Sequence, residues 1–293
     1  MTGQAMPASM QKSAYEGCRI SLTTKHGKRD AIGPVFRELL AADVVECDFD
    51  TDTLGTFSGE VERIGTALDC VQRKCEVGIK CLNAPFGLAS EGSFGPHPSV
   101  PFIPCDYELL YFIDSTRNLR LHESILSTDT NYRMQSLGTF EELIKFGTSA
   151  RFPSHGLILR PNVWQDRSII FKGIQSNEDL AKAFEESQRN SSDGRVWVET
   201  DMRAHRNPTR MSVIKELAVK LCRRLLASCP VCHAPGWGMI RAEKGLPCEF
   251  CNCPTEVTSS EIHSCALCGH SKSTKRSDGL VFASARFCGK CNP

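Results

Sequence analysis

The sequence predicts an α/β protein: a mixed-sheet layered domain followed by a small tandem zinc-ribbon module. Three observations carry this. Short β-like runs alternate with amphipathic helical stretches through the first 228 residues, two strand-like runs flank a tight turn at 115–118, and four Cys-x-x-Cys pairs crowd residues 229–293. Alternating strands and helices favour layered α/β packing, and a hairpin adds antiparallel pairing to the sheet.

The elements follow in order. Residues 1–15 read as a loose tail, and a strand is expected at 19–24. A helix is expected at 32–42, with Pro34 tolerated in its first turn. Residues 44–48 alternate like a strand. A helix over 60–76 places Val61, Ile64, Leu68, Val71 and Cys75 on one face. A short buried strand at 86–89 leads into a polar loop at 89–98. Strands at 108–114 and 119–127 form the hairpin. A helix near 140–146, strands at 156–159 and 168–173, a helix at 178–188 and a strand at 195–199 come next. The last helix, 209–227, carries the stripe Ile214, Leu217, Ala218, Leu221 and Leu225. The chain therefore divides into a tail (1–15), an α/β domain (16–228) and a double-ribbon module (229–293). Only Ser228 separates the last helix from Cys229, so the module should be rigidly attached.

Composition narrows the function. Of 293 residues, 41% are hydrophobic and 24% charged, an ordinary globular balance. Lysine and arginine total 35 against 34 acids, and a net charge of +1 excludes a polybasic coat. No apolar run reaches the ~18–20 residues of a membrane span, and the N-terminus lacks a hydrophobic signal core. No membrane partner and a cytoplasmic location are therefore expected, and the 16 cysteines are read as reduced.

The last cysteines are regularly spaced. Cys229/Cys232, Cys248/Cys251, Cys265/Cys268 and Cys288/Cys291 supply eight thiolates, enough for two tetrahedral structural zinc ions. The simplest ligation is sequential, first pair with second and third with fourth. The alternative is cross-braced, first with third and second with fourth. Full four-cysteine sets leave no open coordination position, so zinc here is structural. The module has seven basic and five acidic side chains, and each zinc ion with four thiolates carries −2, so it is not a broad basic surface.

Three polar segments in the α/β domain hold the candidate chemistry. The turn 23–29 places Lys28 where a strand meets a helix, a plausible phosphate cradle. Segment 89–98 exposes Glu91, Ser93 and His97. Segment 199–210 carries Glu199, Asp201, Arg203, His205, Arg206 and Arg210, with Asn207 as a helix N-cap and Pro208 after it. Arginines around a helix N-terminus suit a phosphate or carboxylate. Glu199 and Asp201, two apart on a strand, should face one side and hold Mg²⁺ or Mn²⁺. Glu60, Glu91 and Asp129 could add oxygen ligands. His97 and His205 suit proton transfer, since imidazole as a side-chain type titrates near neutrality by default.

Segments 52–57, 89–98, 127–131 and 199–204, with the four cysteine pairs, make the chain resemble a bacterial family of unknown function with a cysteine-rich C-terminal tail. Residues 20–95 resemble the opening of the inosine-triphosphate-pyrophosphatase-like fold. That resemblance implies acidic residues holding Mg²⁺ at a nucleoside triphosphate. Lys25 or Lys28, Thr56-Phe57, Glu60 and Glu91 occupy the matching places. Ser90-Glu91-Gly92 stands where that family has an aspartate pair before Ser-Gly.

The resulting expectation is an enzyme with a divalent-metal and phosphate site. Glu91, His97, Asp201 and His205 would be catalytic, and Lys28, Ser93, Arg203, Arg206 and Arg210 would bind substrate. Glu60, Glu91, Asp129, Glu199 and Asp201 would ligate magnesium. The substrate would be a nucleotide or another phosphorylated small molecule. The alternative is a non-catalytic adaptor that binds protein or nucleic acid through its ribbons.

Overall fold

A computed structural model describes residues 13–50, 65–163, 165–166 and 168–292. The first part of the helix expected at 60–76, with Glu60, and the segment holding Thr56 and Phe57 lie outside them, as does most of the N-terminal tail.

The α/β region is built on two sheets, not one. The first has the order β2-β1-β3-β4-β5. It contains β1 (Arg19–Thr23), β2 (Asp43–Glu46), β3 (Phe86–His97), β4 (Val100–Asp114) and β5 (Leu119–Ser127). β1 pairs in parallel with both β2 and β3, whereas β3, β4 and β5 form an antiparallel meander. The sheet is mixed, as the sequence predicts.

Helix α1 (Arg29–Leu40) connects β1 to β2, and α2 (Ala67–Leu82) precedes β3. Strand alternation sends even-numbered side chains to one face and odd-numbered ones to the other. Ile20, Leu22, Val44, Leu88, Leu110 and Phe112 pack with α1 and the last helix, α5 (Pro208–Leu226). Ala89, Leu109, Tyr111 and Ile113 pack with Val71 and Cys75 of α2. So α1 and α2 cover opposite faces, and the strand order turns back at β1. In open α/β sheets, the crevice at such a reversal, beyond the strand carboxyl ends, is where ligands bind.

The second sheet has the order β6-β9-β7-β8, from β6 (Met134–Leu137), β7 (Leu157–Pro161), β8 (Phe171–Ile174) and β9 (Val196–Thr200). Helices α3 (Phe140–Ser149) and α4 (Asn177–Arg189) cover one face, where Leu143, Phe146, Leu180 and Phe184 meet Leu157, Leu159, Val196 and Val198. Strand β6 has no counterpart in the sequence reading.

Other boundaries differ for local reasons. Helix α2 begins at Ala67 because Thr66 and Asp69 form a capping box, each side chain serving the other's backbone N–H. Helix α1 starts at Arg29, so Pro34 lies inside the helix rather than in its first turn. The expected loop at 89–98 is strand, because β3 continues past β1 and pairs with β4 through His97.

The C-terminal module contains β10 (Gly238–Lys244), β11 (Thr258–Ser264) and β12 (Ser271–Lys275), paired antiparallel in that order. Its first turn is seated on β5. A Cβ on Gly236 would lie 2.7 Å from Leu121 Cδ2, and its positive φ of 96° also favours glycine. Arg224 of α5 donates to the Gly236 carbonyl at 3.3 Å, so the module is fastened by packing as well as by chain continuity. Among the described residues no helix is long and apolar enough to cross a membrane.

Candidate functional site

The cysteine pairs group as first with third and second with fourth. Cys229, Cys232, Cys265 and Cys268 form one set, and Cys248, Cys251, Cys288 and Cys291 the other. The simpler sequential pairing is therefore corrected. Hairpin geometry explains the outcome. Gly238 lies opposite Ser264, so the start of β10 and the end of β11 bring the first and third pairs together. The second pair lies on the connection at the far end of that hairpin, and the returning chain delivers the fourth pair beside it through the Cys248–Ala283 bridge.

The fit to zinc is quantitative. A tetrahedron with Zn–S bonds of about 2.3 Å has edges of roughly 3.8 Å. The sulfur pairs Cys229–Cys268, Cys232–Cys265, Cys248–Cys291 and Cys251–Cys288 are separated by 3.7, 3.6, 3.9 and 3.5 Å. The Val231 and Leu267 backbone N–H groups point at Cys229 and Cys265 sulfur at 3.4 Å each, as a metal knuckle requires. The two sets can hold two structural zinc ions.

A second cluster lies at the sheet's reversal. Lys28, the N-cap residue of α1, is 4% exposed and donates from Nζ to Ser90 Oγ at 3.0 Å. Burial is the main cause that lowers the Lys28 ammonium to about 8, with Arg210 adding repulsion. On the same face of β4 lie Asp106 and Glu108, both fully buried. Arg210, in the first turn of α5, donates from Nε to Glu108 Oε1 at 2.6 Å and from Nη1 to the Met202 carbonyl. Its guanidinium lies over the Phe94 ring at 5.1 Å. Gly92 makes room for this pair, since a Cβ there would lie 2.5 Å from both Arg210 Nη2 and Glu108 Oε1.

The two acids are unequal. Glu108 Oε1 is held by Arg210, but Glu108 Oε2 and both Asp106 oxygens are buried with no hydrogen-bond partner among the described residues. Burial, then the Glu108 charge, push the Asp106 carboxyl up to about 8. The signal for these residues was present in Asp106-Tyr107-Glu108, two acids on one face of a strand. It was missed because the expected strand began only at 108.

The sequence-predicted residues are distributed differently. Glu91 lies on the α2 face, ion-paired with Lys74 and accepting from Cys70 Sγ at 3.2 Å. Ser93 shares that face and lies opposite Tyr107. His97 sits at the far end of β3, roughly 20 Å along the strand from Glu91 at ~3.4 Å per residue. There its Nδ1 accepts from the Ser99 N–H at 3.1 Å. Asp129 ion-pairs with Arg151 on the surface at 3.4 Å. Glu199 pairs with the buried Arg160 on β7. Asp201 receives a two-pronged contact from Arg203, at 3.0 Å from Nε and 2.6 Å from Nη2. Glu199 and Asp201 are thus neutralised separately, because each has its own arginine. Glu60 lies outside the described residues. Among the described residues, the only sets of three or more metal-ligating side chains are the two cysteine groups, so the expected carboxylates form no magnesium cage.

The arginine clamp also divides. Arg206 hydrogen-bonds to Gln175, Arg203 serves Asp201, and Arg210 turns inward to Glu108. The expected N-cap is present, with Asn207 accepting from Arg210 N–H at 3.0 Å. His205 does approach the Lys28 turn, stacking on His26 at 5.0 Å. Burial and the neighbouring Arg203 and Arg206 lower the His205 pKa below its usual value. Beside this turn, at the carboxyl ends of β1 and β2, opens a cavity of about 520 Å³ whose lining includes Thr24, Lys25, Cys47 and Asp50.

No curated protein and no solved structure matches the chain. The resemblance of residues 20–95 to the inosine-triphosphate-pyrophosphatase-like fold accordingly gains no support from them. A family model matches residues 74–293, from α2 through β4 and the second sheet to both cysteine centres. The chain belongs to the family described as domain of unknown function DUF6671.

Proposed function

We propose that this protein is an enzyme acting on a small phosphorylated molecule at the carboxyl end of β1, beside the middle of β3. The observation that carries the reading is the Lys28–Ser90–Asp106–Glu108–Arg210 cluster at the sheet's reversal. Buried groups with displaced protonation equilibria, gathered where α/β sheets bind ligands, are characteristic of active sites. The cavity at the carboxyl ends of β1 and β2, lined by none of these five residues, supplies space beside the Lys28 turn, with Lys25 on its wall. Lys28 and the start of α1 supply positive potential for an anionic group. Asp106 and Glu108 supply acid and base. Mg²⁺ or Mn²⁺ would enter with the substrate's phosphate, since Mg²⁺ commonly needs only one or two protein carboxylates plus phosphate oxygens. The cysteine centres stabilise the tail and take no part in the chemistry.

The test is ligand-induced thermal stabilisation with nucleoside mono-, di- and triphosphates and sugar phosphates, each with and without Mg²⁺. Binding should weaken at least tenfold in Lys28→Met. A panel that stabilises neither protein, or stabilises both equally, would remove the reading.

One observation favours a second reading, a protein-binding adaptor. The module exposes Phe250 at 79%, Val281 at 65% and Phe287 at 51% of their surface around the second cysteine set. Exposed apolar groups of this size can mark a protein contact. Phe250→Ser would then abolish a stoichiometric complex while leaving ligand binding at Lys28 intact.

A further inference from the structure

We infer that Asp106 and Glu108 hold one proton between them at neutral pH, so that Asp106 is a neutral buried acid and Glu108 the carboxylate paired with Arg210. The two side chains occupy positions i and i+2 of β4 and project from the same face of the sheet. Three of their four oxygens are buried and lack a partner among the described residues. An ionised carboxylate cannot stay so without counter-charge or donors. A proton on Asp106 supplies the missing donor. It bonds to Glu108 Oε2, removes the like-charge repulsion and leaves Oε1 to Arg210.

The surroundings identify which acid takes the proton. Arg210, from α5, contacts Glu108 directly and is its counter-charge. Lys28, from the start of α1, is committed to Ser90 Oγ and is itself easily deprotonated. Across the sheet, Glu91 and Lys74 of α2 neutralise each other. From β3 and β5, the positions paired with Asp106 are Phe94 and Ser127, neither of them charged. Asp106 therefore has no cation in hydrogen-bond contact among the described residues; Arg210 and Lys28 act on it from a distance, and burial and Glu108, which favour its neutral form, outweigh them. A divalent cation would also fill these oxygens. The proton is favoured because Lys28 and Arg210 already place two positive charges beside these oxygens, and a cation would be repelled by both.

The chemical role rests on the enzyme reading above: Asp106 O–H would protonate the departing oxygen of a bound phosphorylated substrate. Arg210 and Lys28 would hold the resulting Asp106 carboxylate, against repulsion from Glu108, until it regains a proton from water, so the cycle balances with no other reagent. The proton itself is tested without any ligand. Infrared spectra of the full, zinc-loaded wild-type chain at pH 6–7 should show the carbonyl stretch of about one carboxylic acid per chain, lost on titration through about pH 8. Asp106→Asn should remove it, and Glu108→Gln should move its midpoint down by more than one pH unit. Absence of the band in the wild type would overturn the inference, so the result does not depend on the variants folding. Loss of the band on adding Mn²⁺ alone at neutral pH would overturn it in favour of a cation site. A band that persists while the ligand panel fails would leave the shared proton standing and remove only the enzyme reading.

Discussion

Arg210 ties three elements of the cluster together, and its removal gives the sharpest energetic test. Replacing it with methionine keeps most of the side-chain volume but withdraws three contacts: the Glu108 ion pair at 2.6 Å, the donor to the Met202 carbonyl, and the stack on Phe94. Breaking a buried ion pair by removing one partner costs about 3–5 kcal/mol, because the other charge is stranded. Leaving the Met202 carbonyl without its donor adds to that, so Arg210→Met should lose about 5 kcal/mol. Glu108→Leu strands Arg210 instead, but here the structure provides relief. Asp106 lies beside it and can release its proton to become the counter-ion, so this variant should lose only about 3 kcal/mol. The double variant leaves no stranded charge. Its remaining cost is the Met202 carbonyl and the Phe94 contact, about 2–3 kcal/mol. The singles sum to about 8 kcal/mol, and the double falls well short of that. The assay is urea unfolding monitored by circular dichroism on all four proteins at one pH and zinc concentration. A coupling below about 0.5 kcal/mol would mean the two residues act independently, and it would refute the idea that this cluster is one electrostatic unit.

The remaining predictions concern the metal module and pH. In Cys265→Ser, iodoacetamide labelling should expose Cys229, Cys232 and Cys268 while Cys248, Cys251, Cys288 and Cys291 stay protected; newly reactive Cys288 and Cys291 would instead signify sequential ligation. Asp106 has its folded-state pKa raised, so between the ordinary carboxylate range and about pH 8 the folded chain holds a proton that the unfolded chain has released. Its stabilising contribution is complete at acid pH and is lost as pH rises through about 8, with a limiting slope of about 1.4 kcal/mol per pH unit. The unfolding free energy of the wild type should therefore fall relative to that of Asp106→Asn as pH rises from 5 to 8; parallel curves would count against a raised Asp106.

The parts of this fold that were legible in the sequence are those fixed by local pattern. The stripe Ile214, Leu217, Ala218, Leu221 and Leu225 gave α5 to within a residue of its observed span, because one helix face supplies much of the main core. Cysteine spacing gave eight ligands, because a two-residue gap is what a metal knuckle needs. Which pair joins which depends on where a hairpin returns the chain, a non-local fact that spacing does not encode. The second sheet was hidden for the same reason: β6 is a four-residue strand, and only its pairing with β9 makes it one. The polar loops were the harder case. Glu91, Asp129, Glu199 and Asp201 are what a sequence reader sees as unsatisfied acids, yet each has a basic partner contributed by another element or a near neighbour.

That observation bears on how an unassigned α/β domain should be searched for chemistry. A charged residue at a strand end is common and is usually neutralised by whatever packs against it. What distinguishes Asp106 is a mismatch: full burial, a like charge two residues away, and no cation committed to it among the described residues. Maintaining such a residue costs stability as pH rises, and a leucine there would remove the penalty while fitting the apolar Leu110 and Phe112 that continue the same face. A purely structural ion network would pair every charge, as the second sheet does with Arg160 and Glu199. The mismatched acid stands near the carboxyl end of β1, where sheet reversal provides a crevice, and next to Lys28, whose ammonium burial has weakened to about 8. Two displaced proton equilibria side by side are what the proposed proton transfer to a bound substrate would use.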